Sequence, residues 1–261
     1  MSRVTRPTIK VLVSLILMPL LSGCAYLQYF GLFPSTGTVE DSPTGKTIVA
    51  GVMVNEQGIP LSGIVMLEQG KLFRGKFRRG GVVDSAGRFA VEVPDGDQWG
   101  LHGYADGYIY HPESITLAPG KINRYRWVLS VDKDPQDNPT IRRITLTPEP
   151  APGVTVTITL DAFDPKLRLS EQVLALNART GDAFVMEPPE QPRWGHPLEG
   201  KLYPNGIYRA MYGPLPPDRD VTDWVFVVAN EDCSISRITR APLDHVGSVG
   251  MPQVTQRGGR G

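Results

Sequence analysis

Between residues 46 and 130 the apolar side chains come in short runs parted by turn residues about every 8–12 positions, and no stretch offers three turns of amphipathic helix. That spacing restricts the chain to short strands. Ile48, Val49, Val52 and Val54 precede the turn Asn55-Glu56-Gln57-Gly58, Leu61 to Leu67 forms a second run, and Val82 and Val83 lead into a turn at Asp84 to Arg88. Phe89, Val91 and Val93 alternate with Ala90 and Glu92, the period of two that a strand with one wet face requires. Residues 99–105, Ile115 with Leu117, and Tyr125 with residues 127–129 supply the rest. Glycine (28 residues) and proline (24) exceed their usual combined share of roughly 12% without a collagen period, as many turns demand. The expected fold is all-β, with two small antiparallel β-sandwich domains in tandem.

The spacing Gly51-x-Val-x-Asn55-x-x-Gly58-x-Pro60-Leu61-x-Gly63 resembles the opening of the carboxypeptidase regulatory-like (transthyretin-like) family. Asp84-x-x-Gly87-x-Phe89 is similar to its central turn and strand, and Gly96 followed by Tyr104-Ala105-Asp106-Gly107-Tyr108 is similar to its later stretch. The resemblance covers residues 46–130 and implies a non-catalytic folding, spacing or recognition module. The segment from Gln69 to Gly80 departs from it, being longer and more basic than a minimal hairpin. The resembling residues 46–130 contain no zinc-binding His-x-x-Glu, so peptidase activity does not carry over.

A polar linker spans 131–140. Strands are then expected at Arg142 to Thr147, at Gly153 to Leu160 with its apolar/hydroxyl alternation, at 174–176, 184–186, 207–211 and 224–229, and at Ser234 to Thr239. This second sandwich, 141–245, resembles immunoglobulin-like modules only in outline. Loops with Trp194, His196 and Tyr212 are a candidate binding edge, although packing accounts for the same residues. A Gly- and Arg-rich tail, 246–261, is expected to be disordered.

The N-terminus has a different logic. Arg3, Arg6 and Lys10 precede an apolar core from Val11 to Leu21, then Ser22, Gly23 and Cys24. A core this short cannot cross a ~30 Å hydrocarbon layer, which takes about 20 residues, and the order is that of a secretory signal at 1–23. Leu21-Ser22-Gly23-Cys24 resembles the bacterial lipobox. That resemblance implies cleavage before Cys24, diacylglycerol on its thiol and an acyl chain such as palmitate on its amine. Ala25 in the next position implies the outer membrane, with the chain facing the periplasm or the cell surface. The alternatives are an ordinary signal peptide or a buried start to the first domain. Residues 24–45 then form a tether whose Tyr26, Tyr29, Phe30 and Phe33 have three open uses: the headgroup layer, a partner protein, or an edge of the first domain. With Cys24 acylated, Cys233 is left alone, either as a reactive thiol or as a buried inert hydrophobe.

Lysine plus arginine equals aspartate plus glutamate at 27 each, which removes a globally basic nucleic-acid binder. Locally, Lys71, Arg74, Lys76, Arg78 and Arg79 crowd one segment with Leu72, Phe73 and Phe77. This is either a solvated hairpin with its own ion pairs or a contact for an anionic polymer or lipid headgroups. No metalloprotease, nucleophile-elbow, P-loop, CxxC or dinucleotide fingerprint occurs, and Asp161, Asp164 and Asp182 lack an EF-hand spacing. The expectation is a non-enzymatic envelope lipoprotein without a metal or other cofactor. It would be held in the bilayer through Cys24 and act as a structural or accessory subunit of an envelope complex. The alternative is a binding module for envelope glycan or another anionic polymer.

Overall fold

The computed structural model describes residues 37–242 except 73–74, 95, 97, 149–153, 192, 195–200 and 216–222. The fold is all-β. The first sandwich contains β1 (Thr38–Asp41), β2 (Thr47–Asn55), β3 (Gly63–Gln69), β4 (Lys76–Val83), β5 (Arg88–Val93), β6 (Gln98–Tyr104), β7 (His111–Thr116) and β8 (Lys121–Leu129). One 3₁₀ turn at Pro135–Asp137 leads to the second. That sandwich contains β9 (Thr140–Pro148), β10 (Val154–Phe163), β11 (Leu169–Asn177), β12 (Ala183–Val185), β13 (Arg193–Trp194), β14 (Lys201–Leu202), β15 (Gly206–Leu215), β16 (Asp223–Asn230) and β17 (Thr239–Pro242).

Four sheets stack in order. The first outer sheet is β1-β8-β2-β5 and the first inner sheet is β4-β3-β6-β7. The second inner sheet is β12-β11-β16-β17 and the second outer sheet is β15-β10-β9, with β13-β14 a separate ribbon. Pairing is antiparallel except between β2 and β8, which run parallel. Val49, Phe89, Val91 and Trp127 meet Val65, Leu67, Trp99 and Leu101 in the first core. Val156, Ile158, Leu160 and Tyr208 meet Val173, Ala175, Trp224 and Phe226 in the second.

A third apolar layer joins the two inner sheets. Ile64, Met66, Tyr104 and Tyr110 pack against Leu174, Leu176, Val225, Val227, Cys233 and Ile235. Strands β3, β6, β11 and β16 are therefore buried on both faces, and odd and even residues serve different cores. Burying an aliphatic side chain completely is worth about 1.5–3 kcal/mol. The aliphatic residues of this joint together match the whole net stability of a typical domain, about 5–15 kcal/mol.

Four strands escaped the sequence reading: β1, β4 and the two-residue strands β13 and β14. β1 lies within the expected tether; all four of its residues are exposed, so it has no apolar period, and it is held by main-chain pairing to β8 with the surface ion pairs Glu40–Arg124 and Asp41–Lys121. β4 occupies most of the basic segment, and a bulge opposite Leu67 and Glu68 breaks its alternation. The strand expected at Ser234 to Thr239 divides. Ser236 exchanges main-chain and hydroxyl bonds with Val228, Ile238 turns its N–H to Asp106 at 2.7 Å, and pairing resumes only in β17.

Candidate functional site

The hairpin between β3 and β4 gathers Lys71, Lys76, Arg78 and Arg79 at one end of the first sandwich. Its root is built around Glu68, which is 2% exposed. Glu68 Oε1 accepts the Gly75 N–H at 2.7 Å, and Oε2 lies 3.1 Å from His102 Nε2 on β6. Gly70 N–H donates across to Gln98 at 3.0 Å. Gly75 has to be glycine, because a Cβ there would stand 2.2 Å from the Gln69 carbonyl oxygen. The Phe77 ring packs 4.8 Å from the His102 ring, whose other flank faces Tyr104 and Tyr110. Burial pushes the His102 imidazole below its ordinary pKa, against the opposing pull of its Glu68 bond. The carboxylate is therefore committed inward, to the hairpin backbone and to His102.

The cations point elsewhere. Lys71, Lys76 and Arg78 are exposed, and none has an ion-pair partner among the described residues. Arg79 is different. Its guanidinium bonds Asp182 of the second sandwich at 2.7 Å and the Glu92 carbonyl at 3.1 Å. Asp182 also accepts from Thr180 at 2.7 Å and from Tyr212. Gly80 N–H adds a main-chain bond to the Gly181 carbonyl at 2.8 Å. Arg79 thus serves the joint between sandwiches, and the expected basic cluster divides into one structural arginine and a set of outward cations.

The other expected positions scatter. Cys24, Tyr26, Tyr29, Phe30, Phe33, Arg74, His196 and His245 lie outside the described residues, as do the signal segment and the tail. Trp194 is placed on β13, opposite Lys201. Tyr212 bonds Asp182 and sets its ring edge-on to Trp224 at 4.9 Å. Asp164 is fully buried, with Oδ1 accepting the Lys166 N–H at 2.7 Å. Among the described residues no three His, Cys, Asp or Glu side chains gather as a metal site. Cys233 is buried in the layer between the sandwiches, with Val225, Val227 and Ile235.

The described residues also form concavities, among them the following two. A 420 Å³ groove between the sandwiches is lined by Pro60, Gly63, Asp106, Tyr108, Ile238 and Arg240. A shallower 760 Å³ trough on the first outer sheet has Ile48, Ala50 and Val52 for a floor and Arg88, Arg124 and Arg126 at its rim. Neither includes the hairpin.

The sequence reading passed over the buried polar set at the joint: Glu68, His102, Tyr104, Tyr110 and Gln172. Two signals were present. Glu68 closes an otherwise apolar run, and His102 falls between Leu101 and Gly103 on a strand buried along nearly its whole length.

The sequence matches no protein-family profile and no curated protein. Among solved structures, an ancillary pilin from Streptococcus aligns at 13% identity and a TM-score of 0.28, over 82% of this chain and 61% of its own. The major pilin subunit BcpA of Bacillus cereus aligns at 10% identity and a TM-score of 0.27, over 76% and 69%. A carbohydrate-binding protein from Bacteroides uniformis, so described only provisionally, aligns at 10% identity and a TM-score of 0.25, over 75% and 98%. Likenesses this low decide neither fold nor function, and the description of the chain rests on its own geometry.

Proposed function

We propose that this chain is a non-catalytic, lipid-anchored protein of the bacterial outer membrane, acting as a structural or accessory subunit of an envelope complex. The observation that carries the reading is the joint. Two sandwiches locked through a buried layer form a stiff body suited to holding surfaces at a fixed distance, and the buried polar groups described above fasten turns and sheets. The Leu21-Ser22-Gly23-Cys24 signature supports the anchor. The first sandwich is read as a carboxypeptidase regulatory-like module over 46–130. In support, Asn55 and Asp84 cap its turns, Gly58 and Gly87 take positive φ, and Phe89 is in the core. The second, over 141–245, is read as loosely immunoglobulin-like.

Purification of the full-length protein in mild detergent, with crosslinking and stoichiometry by mass spectrometry, tests the subunit role. A partner at fixed ratio supports it, and a lone monomer overturns it. The anchor is tested on the same sample. A thioether to diacylglycerol on Cys24 excludes a disulfide at that sulfur. An acylated Cys24 peptide therefore supports the anchor, and a Cys24–Cys233 linked peptide from a non-reducing digest overturns it.

The second reading, an anionic-polymer binder, is favoured by the exposed, unpartnered cations of the β3–β4 hairpin.

A further inference from the structure

We infer that Lys71, Lys76 and Arg78 form a docking surface for an anionic polysaccharide, a glycan polymer carrying carboxylate or phosphate groups. The inference deepens the second reading above, and it takes only its orientation from the proposed anchor.

Three observations carry it. First, no acid among the described residues pairs with these cations. The hairpin's own acid, Glu68, is buried and engaged with Gly75 and His102, and the nearby acids Glu92 and Asp182 are already paired with Lys46 and Arg79. Cations left without partners at a surface attract a polyanion with little of the desolvation cost of a buried pair. Second, the surface is presented firmly. Glu68, Gly70 and Gly75 bind the root of the hairpin to β6, Leu72 lies over Gly100, and Phe77 packs on His102. A preorganised cationic surface loses less ordering entropy on binding than a free loop does.

Third, the surface faces away from the tether. β1 runs antiparallel to β8, with Thr38 opposite Arg124 and Asp41 opposite Lys121, and β8 runs parallel to β2. From Asp41 back to Thr38, β1 therefore runs toward the Asn55 end of the sandwich. The hairpin follows Gln69 at the other end, where Arg79 reaches Glu92, the partner of Ile48 near the start of β2. Across the sheet, β1 is one edge and β5 the other, about three strand spacings or ~14 Å apart, and β4 lies against β5. β1 and β4 thus lie at opposite edges of the sandwich, and the Thr38 end of β1 points away from the hairpin. That placement favours a polymer beyond the membrane over the headgroups around Cys24.

The test uses full-length detergent-solubilised protein with polygalacturonate as the carboxylate polymer, phosphorylated dextran as the phosphate arm and neutral dextran as control. Vesicles of phosphatidylcholine with and without phosphatidylglycerol form the lipid arm. Binding to one or both polyanions is expected, with dextran inert. The triple charge reversal Lys71→Glu, Lys76→Glu, Arg78→Glu is expected to weaken it about tenfold or more, and added salt should mimic the loss. Reversal of the exposed Arg143 and Arg209 on the second outer sheet leaves binding unchanged. Equal binding to dextran, no loss in the triple variant while its circular dichroism is native, or a preference for phosphatidylglycerol vesicles over both polymers would each overturn the inference. Acylation of Cys24 is read separately by mass, so failure of one reading does not imply failure of the other.

Discussion

The Tyr104 hydroxyl of the first sandwich donates to the Gln172 carbonyl oxygen of the second at 2.5 Å, inside a layer closed to solvent. The amide of Gln172 donates in turn to Tyr110 Oη at 3.0 Å, so one side chain satisfies two tyrosines across the joint. Removing it leaves buried hydroxyls without their partner, at a cost of about 1–3 kcal/mol each. Gln172→Leu is therefore expected to lower Tm by about 2–4 °C for each kcal/mol lost. Adding Tyr104→Phe and Tyr110→Phe removes the unsatisfied groups as well, and the triple variant is expected to recover much of that loss. A triple variant no more stable than Gln172→Leu in calorimetry refutes this account of the network.

The same layer predicts how the molecule unfolds. Separating the inner sheets exposes Ile64, Met66, Leu174, Leu176, Val225 and Val227 together, so the sandwiches should melt as one unit. Trp99 and Trp127 report on the first core and Trp224 on the second. Fluorescence melts of Trp194→Phe/Trp224→Phe and of Trp99→Phe/Trp127→Phe chains should coincide once each is referred to its own calorimetric Tm. Leu176→Ala, expected to cost about 2–5 kcal/mol, should shift both reporters equally. A shift confined to the second reporter means that the joint does not couple the halves.

The outer sheets were legible in the sequence because one of their faces is wet. Phe89, Val91 and Val93, and the alternation from Val154 to Leu160, gave period-two patterns that the structure places on β5 and β10. The inner strands were recognised as strands, but their uninterrupted apolar runs, Ile64 to Leu67 and Trp224 to Ala229, were not read as burial on both faces. Stacking of the two sandwiches followed from those runs and was missed. β1 gave no signal, since an exposed edge strand needs no apolar period. The cationic segment was visible, but separating Arg79 from Lys71, Lys76 and Arg78 depends on where Asp182 folds, more than 100 residues away in sequence.

Buried titratable groups at the joint set a pH window for stability. His102 has its pKa lowered, chiefly by burial, so the unfolded chain binds its proton first as the pH falls. Its contribution is whole above about 6.5, and declines below that until the pH passes the depressed folded value. Tyr104 and Tyr110 are pushed upward by burial; their contribution is whole below about 10 and is lost as the pH rises beyond it. Denaturant melts across pH should show a plateau between those limits. His102→Phe should lessen the acid-side slope without moving the alkaline one. An unchanged acid slope in that variant assigns the acid sensitivity to other groups.

Four turns share one construction, and two of them carry the wrong residue for it. Asn55, Asp84, Asp164 and Asn230 each accept with the main-chain carbonyl from the residue three places on, and with the side-chain oxygen from the residue two places on. That third residue has positive φ: Gly58 at 80° and Gly87 at 74°, but also Leu167 at 57° and Cys233 at 66°. A left-handed conformation costs a residue with a side chain about 1–2 kcal/mol, and glycine gives back part of that through its freedom in the unfolded chain. Leu167 is 62% exposed, so little packing is lost with it. Leu167→Gly is expected to stabilise the protein by about 0.5–1 kcal/mol, a rise in Tm of about 1–4 °C, and Leu167→Asn by less. The converse change at Gly87, where a Cβ would stand 2.5 Å from the Met53 carbonyl oxygen, should cost more than Leu167→Gly gains. Thermal melts of Leu167→Gly and Gly87→Ala in parallel decide the matter: if Leu167→Gly is neutral or destabilising while Gly87→Ala destabilises, the strain at Leu167 is offset within its own turn.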